Sequence, residues 1–214
     1  MKGFLAGTQP NLNSLFVDHT TALNNIKLCD IGVNILDKMF YGEYNHKYVH
    51  DNDIDNVIHR AKSCGVQTMI CTGSNVEESR KLLQFCTSYE HNAGTVVTTW
   101  RVTIELIVLS TIALGLYFTA GIHPCNSNVF ENENSIPTIL NELDALVLEG
   151  RSSNKLVAIG ECGLDYDRLG YCSRETQLIS FENQLQLACK YDLPLFLHNR
   201  NTNGDFLNLM KAYR

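Results

Sequence analysis

Two short runs carry the residues on which chemistry can be built. Val157-Ala158-Ile159-Gly160-Glu161-Cys162-Gly163-Leu164-Asp165 starts apolar and breaks abruptly into a carboxylate, Glu161. Further along, Leu195-Phe196-Leu197-His198-Asn199-Arg200 repeats the plan, with an imidazole at its end and a guanidinium just beyond. Apolar, partly β-branched runs of this length read as buried strands. In α/β folds the C-terminal ends of parallel strands are where reactive side chains gather. A carboxylate and an imidazole delivered by neighbouring strand ends make a divalent-cation site, because both donate a lone pair to a metal.

The elements that would position them follow from hydrophobic spacing. Residues 28–35 read as a first apolar strand ending near Asn34. Residues 51–64 place Ile54, Val57, Ile58 and Ala61 at helical spacing, and Gly65 stops that helix. Residues 66–72 are a second strand. Ser74-Asn75 caps a helix running through Leu82, Leu83 and Phe85. Residues 116–122 are a third strand, ending in Gly121-Ile122-His123-Pro124. A helix over 135–149, a fourth strand over 156–159, a long helix capped by Ser173, a fifth strand over 193–197 and a helix from Gly204 complete the series. Alternation of this kind implies a parallel sheet with right-handed crossovers. About five βα units are visible, whereas a closed (β/α)₈ barrel takes roughly 250 residues. The expected fold is therefore α/β, an incomplete TIM barrel with an open sheet edge, marginal on its own or covered by a partner.

Composition narrows the partners. The chain has 214 residues, of which 44% are apolar, enough to bury a core. A net charge of −6 argues against holding nucleic acid by bulk electrostatics, although a bound metal can supply local positive charge. None of the eight cysteines forms a CxxC pair, so reduced thiols are expected. Residues 1–27 are polar, broken by Pro10 and without arginine, unlike a secretory or transit leader. The expected location is intracellular, cytoplasmic or nuclear.

One segment does not fit the alternation. Residues 95–115 read TVVTTWRVTIELIVLSTIALG and run straight into the third strand. The apolar stretch 106–118 is short of the roughly twenty residues of a membrane span, and reaching back to Val102 takes in Glu105. A membrane helix, a buried extension of a neighbouring element and an insertion foreign to the fold all remain open, and no stable membrane association is expected.

Five segments in this order resemble the TatD-type metal-dependent deoxyribonucleases, in particular their eukaryotic branch. They are Asp30-Ile31-Gly32-Val33-Asn34, Thr72-Gly73-Ser74-Asn75, Gly121-Ile122-His123-Pro124, Ile159-Gly160-Glu161-Cys162-Gly163-Leu164-Asp165 and Phe196-Leu197-His198-Asn199-Arg200-Asn201. The resemblance covers 28–214, leaving 1–27 as an unmatched extension and 95–115 as an insertion or retained intron. It implies a metallo-dependent hydrolase barrel that removes nucleotides from DNA ends, with divalent ions, Mg²⁺ or a similar ion, in a two-metal site. By resemblance Glu161 bridges the ions, His198 ligates one, His123 lies beside the phosphate, Arg200 clamps it, and Asn34 contacts water at the metal. The family takes further ligands from a later His and a later Asp, both past the end of this sequence, so little or no activity is expected of these 214 residues.

Each side chain also has a plain structural reading. Glu161 can be an exposed loop carboxylate, His198 a core histidine, His123-Pro124 a turn, Arg200 half of a surface ion pair and Asn75 only a cap. Asp165 reads as orienting the Glu161 loop, and Asp30 as supporting the barrel mouth. Two other functions stay in view: a non-catalytic form that associates through its open edge, and a metallohydrolase of small esters, amides or cyclic compounds. Against the latter, Gly32 and Asn34 stand where such enzymes carry an HxH metal pair.

Overall fold

A computed structural model describes residues 27–93 and 115–213. The expectations for 1–26 and for 95–114 lie outside the described residues. Five strands form one parallel sheet, in the order β1 (Leu28–Val33), β4 (Val66–Cys71), β5 (Gly115–Ala120), β6 (Leu156–Asp165), β7 (Leu195–Arg200). A two-stranded hairpin, β2 (Glu43–Tyr44) and β3 (Lys47–Tyr48), stands apart after β1. Its turn residues Asn45 and His46 both have positive φ, the geometry that matches the twist of a tight hairpin.

Four crossover or following helices were expected at these places, and the structure has them: α1 (Ile54–Ser63), α2 (Val76–Ala93), α3 (Ile136–Ser152), α4 (Arg174–Tyr191), with α5 (Asp205–Ala212) after β7. The caps explain the boundaries. Asn75 Oδ1 accepts from the Glu78 amide, and Ser173 Oγ accepts from the Thr176 amide, so both orphan N–H groups are met as the sequence indicates. Gly115, the last residue of the segment 95–115, begins β5 and pairs there with Thr68. β6 runs through Asp165, past the expected end at Ile159, because a bulge at Glu161 lets its pairing with β7 resume at Cys162.

The main core lies between the sheet and α1–α3, built on Ile58, Leu82, Leu116, Phe118, Leu143, Leu146 and Ile159. A second, smaller cluster locks β6 to α4 and α5 through Cys162, Leu164, Phe181 and Leu185, with Phe206 stacked on Phe181 at 5.2 Å between ring centres. Each such buried side chain contributes roughly 1.5–3 kcal/mol of transfer free energy. A Cβ built on Gly32 of β1 would sit 3.8 Å from the Phe196 ring of β7. The two outer strands therefore approach across the concave face, and the sheet is a half-barrel, an α/β fold consistent with an incomplete TIM barrel. No helix among the described residues is long and apolar enough to cross a membrane.

Candidate metal centre

Three strand tips converge. On β6, Gly160 pairs with Phe196 and Cys162 with Leu197, so Glu161 falls in the bulge and its side chain leaves the regular alternation. Its amide donates to Gly73 O at 2.9 Å, tying the bulge to the end of β4. Gly163 has φ +144, and a Cβ there would lie 1.9 Å from the carbonyl oxygen of His198. Only glycine allows β7 to approach this closely and bring His198 beside Glu161.

His198 is the hub. Its Nδ1 is 2.9 Å from Glu161 Oε1 and its Nε2 is 3.0 Å from Asp165 Oδ2. The third member comes from β5. The His123 amide donates to Ser74 O, and His123 caps the 3₁₀ turn Pro124–Phe130, its Nδ1 accepting from the Cys125 amide at 3.1 Å. Its Nε2 is 3.2 Å from His198 Nδ1 and 3.8 Å from Glu161 Oε1. One donor atom from each of His123, Glu161 and His198 lies within 4.8 Å of the others. Two nitrogens and an anionic oxygen at such separations, partly shielded from water, suit a divalent ion that tolerates imidazole as well as carboxylate.

Around this group stands a buried polar frame. Asp165 is 1% exposed; its Oδ1 accepts from the Asp167 amide, and its Oδ2 faces both His198 and Arg200, the latter at 3.4 Å. Two glutamines of α4, both fully buried, clamp the backbone on either side. Gln177 Oε1 accepts from the Asp165 amide, and its Nε2 donates to the Asp165 and Cys172 carbonyls. Gln184 Oε1 accepts from the Ile122 amide, and its Nε2 donates to the Ile122 carbonyl. Burial holds the His123 imidazole below its usual value; Glu161 pulls the other way, and the His198 charge adds to the lowering. Burial, then the Asp165 charge, pushes the neighbouring Cys125 thiol up.

Of the residues singled out in the sequence, the structure unites Glu161, His198 and His123. Arg200 joins through Asp165, with half of its side chain exposed. Asn34 follows the outer strand β1 and is exposed. Asp165 bonds His198 directly, a contact the sequence did not disclose. Gln177 and Gln184 were also missed, although two glutamines seven residues apart on the inward face of a helix are themselves a signal of buried backbone clamps.

A half-barrel with a His/Glu/His group that could hold a metal ion at its C-terminal strand tips has the architecture of the metal-site α/β barrels. Within it, the chain belongs to the TatD related DNase family, whose model matches residues 29–214. It is 38% identical over 192 residues to deoxyribonuclease Tat-D of Schizosaccharomyces pombe, covering 89% of this chain and 54% of that protein. It is 33% identical over 184 residues to the 3′-5′ ssDNA/RNA exonuclease TatD of Cronobacter sakazakii, covering 86% of this chain and 53% of that one. Among solved structures it resembles a TatD family hydrolase from Entamoeba histolytica, with TM-score 0.69, 32% identity and coverage of 87% and 54%. A Saccharomyces cerevisiae amidohydrolase gives TM-score 0.72 at 32% identity, with coverage of 87% and 52%. The chain spans about half the length of the relatives it matches.

Proposed function

We propose that this chain carries the first part of a metal-dependent deoxyribonuclease that hydrolyses phosphodiester bonds at DNA ends. The observation that supports it most is the 2.9 Å approach of Glu161 Oε1 to His198 Nδ1 on adjacent strand tips. Both atoms are lone-pair donors and would hold a divalent ion, Mg²⁺ or a similar one. Such an ion supplies charge neutralisation at a phosphate and acidifies a water. Arg200 offers a planar fork to phosphate oxygens. His123 stands beside the same space, and Asn34 contributes at most at the rim, to a water or the substrate. The setting is intracellular, in cytoplasm or nucleus. The chain spans about half the length of the relatives it matches, and groups from the rest of that length would add to the site.

The test is Mn²⁺ binding by calorimetry, together with nucleotide release from single-stranded DNA. Glu161→Ala should weaken the ion at least about tenfold and abolish any metal-dependent release. Unchanged binding, or release that survives the substitution, overturns the proposal. The exposed apolar residues Leu28 and Ile31 on β1 and Leu197 on β7 favour a second reading, association through the outer strands without catalysis. Light scattering that finds a defined oligomer with no nucleotide release would select it.

A further inference from the structure

Tyr48, on the hairpin that follows β1, is 81% exposed, more than any other large apolar or aromatic residue among those described. The hairpin that carries it is locked. Gly42 has φ +86, and a Cβ there would lie 1.7 Å from the His50 carbonyl oxygen, so only glycine closes the base of the ribbon. The Val49 amide donates to Gly42 O and the Asp53 amide to Phe40 O. Leu36, Phe40 and Tyr41, just before the ribbon, pack on the main core. Pairing of Tyr44 with Lys47 puts that ring and that ammonium on one face of the ribbon, and Tyr48 falls on the other. The Tyr44 ring meets the His50 ring edge-on at 5.7 Å. A fixed frame thus holds Tyr48 out in water, where its ring gains nothing from burial. The five strands of the sheet run parallel, so the hairpin leaves β1 at the end of the sheet that carries Glu161 and His198. The Thr72 amide donates to Val33 O at the tip of β1, and one residue on, Gly73 O accepts from the Glu161 amide. Charge is local too. From Lys38 to His50 there are two lysines and two histidines against one carboxylate, Glu43, in a chain of net charge −6. Glu43 already faces Lys38 at 3.3 Å and His46 at 3.6 Å, while Lys47 is exposed beside Tyr44.

We infer that this hairpin is a stacking platform for the unpaired bases of a DNA strand, with bases on the Tyr48 and Tyr44 rings and Lys47 beside the backbone. The inference rests on the nuclease reading above for its substrate and concerns how that substrate is held away from the ion site. Single exposed apolar residues are ordinary on a surface. Two rings and a cation on a locked ribbon, at the same end of the sheet as the candidate site, form a surface with a chemistry of its own. A tyrosine ring offers a π-face that any base can cover, and the neighbouring cation attracts phosphate. Because the two rings lie on opposite faces of the ribbon, they take different bases. Bases inside a duplex already cover one another, so the platform favours single-stranded or frayed ends.

The test titrates the full chain, in chelator so that the ion site takes no part, with fluorescent oligothymidine and with the matching oligothymidine–oligoadenine duplex, read by anisotropy. The single strand should bind at least about tenfold tighter than the duplex. Tyr48→Ala should weaken it by about 5–30-fold, the scale of one base–aromatic stack. Tyr48→Phe, which keeps the flat ring, should stay within about twofold of wild type, and Tyr48→Leu, apolar but not flat, should behave like Tyr48→Ala. Lys47→Ala should flatten the slope of log affinity against log salt by about 0.7, the loss of one phosphate contact on a single strand. Leu148→Ala, exposed on α3, should change nothing. Both Tyr48 and Lys47 are exposed, so urea midpoints of their variants should match that of wild type. No binding of oligothymidine, equal affinity for strand and duplex, wild-type affinity in Tyr48→Ala, a Tyr48→Leu variant as tight as Tyr48→Phe, or a dimer of the chain that Tyr48→Ala dissociates each overturns the inference. Binding with all of these signatures, but without metal-dependent nucleotide release, would instead sink the nuclease proposal alone.

Discussion

Strands β1 and β6 are written in similar letters, and the fold treats them in opposite ways. Leu28-Cys29-Asp30-Ile31-Gly32 and Val157-Ala158-Ile159-Gly160-Glu161 are both largely apolar runs that hold one glycine and one carboxylate. Yet Ile31 is 58% exposed and Ile159 is fully buried. β6 pairs with a strand on each side and lies under α4, whereas β1, among the described residues, pairs with β4 only. Local sequence therefore sets the strand, and the number of neighbours sets what its residues do. Around β6 those neighbours hold Glu161, Asp165 and His198 in one hydrogen-bonded group, whereas Asn34, past the end of β1, is exposed.

Matched substitutions can break that contrast, and the largest difference should come from a pair of glycines. Gly163→Ala puts a methyl 1.9 Å from the backbone oxygen of His198 at a φ that disfavours it. About 3 kcal/mol or more should be lost, or no folded protein obtained. In Gly32→Ala the new methyl meets only the Phe196 ring at 3.8 Å, and stability should stay within about 0.5 kcal/mol. Urea midpoints at constant slope measure both. Equal losses would mean that β1 is packed as tightly as β6.

The next pair lies on α4. Gln184→Ala strips the partners from the buried amide and carbonyl of Ile122 and should cost about 2–4 kcal/mol. Gln186→Ala removes only an exposed contact to the Tyr213 hydroxyl and should cost under about 0.5 kcal/mol. A small loss at Gln184 would show that water replaces the clamp, and His123 would then not be rigidly placed.

These pairs also mark where the sequence was legible. Apolar runs ending in Glu161, His123 and His198 announce the strands and the tips, since the pattern that makes a buried parallel strand is local. Ser173 and Asn75 announce their caps for the same reason. The bulge at Glu161 is not local: it exists because β6 must pair with β7 on both sides of a residue that turns away from the pleat. Nor is the Asp165–His198 contact, which joins separate strands, or the reach of Gln184 to Ile122. The hairpin of Glu43–Tyr44 and Lys47–Tyr48 passed unread because its strands are two residues each, too short for any period to show.

Thiols give a gentler contrast. Cys162 is fully buried, and burial drives its thiol far above the ordinary range, with Glu161 adding to the rise. Cys29, exposed on β1, is raised too, by partial burial and by Asp30. With an excess of a disulfide reagent at neutral pH, exposed Cys29, Cys64 and Cys189 should react on the native protein, and Cys162 only at the rate of unfolding. Reaction of Cys162 as fast as that of Cys29 would mean that the β6–β7 region opens readily.

The smallest effect belongs to the strut that joins the end of β6 to α5. Tyr166 donates its hydroxyl proton to Asp205, which Arg174 also holds at 2.8 Å. Burial first, then the Asp205 hydrogen bond and charge, pushes the phenol up to about 12. The unfolded phenol ionises near 10, so below that pH both states are neutral and the whole contribution is present. Between about 10 and 12 the unfolded chain sheds its proton while the folded one keeps it. The unfolded state then binds fewer protons, and stability falls as pH rises. Solvent screening at this partly open rim keeps the total below about 1 kcal/mol. Tyr166→Phe should therefore shift the urea midpoint only slightly at pH 8, and the gap between variant and wild type should close as pH rises from about 10 to 12. A gap that instead widens with pH would mean that the phenolate, not the phenol, is the form the fold prefers, and that Arg174 rather than Asp205 governs this corner.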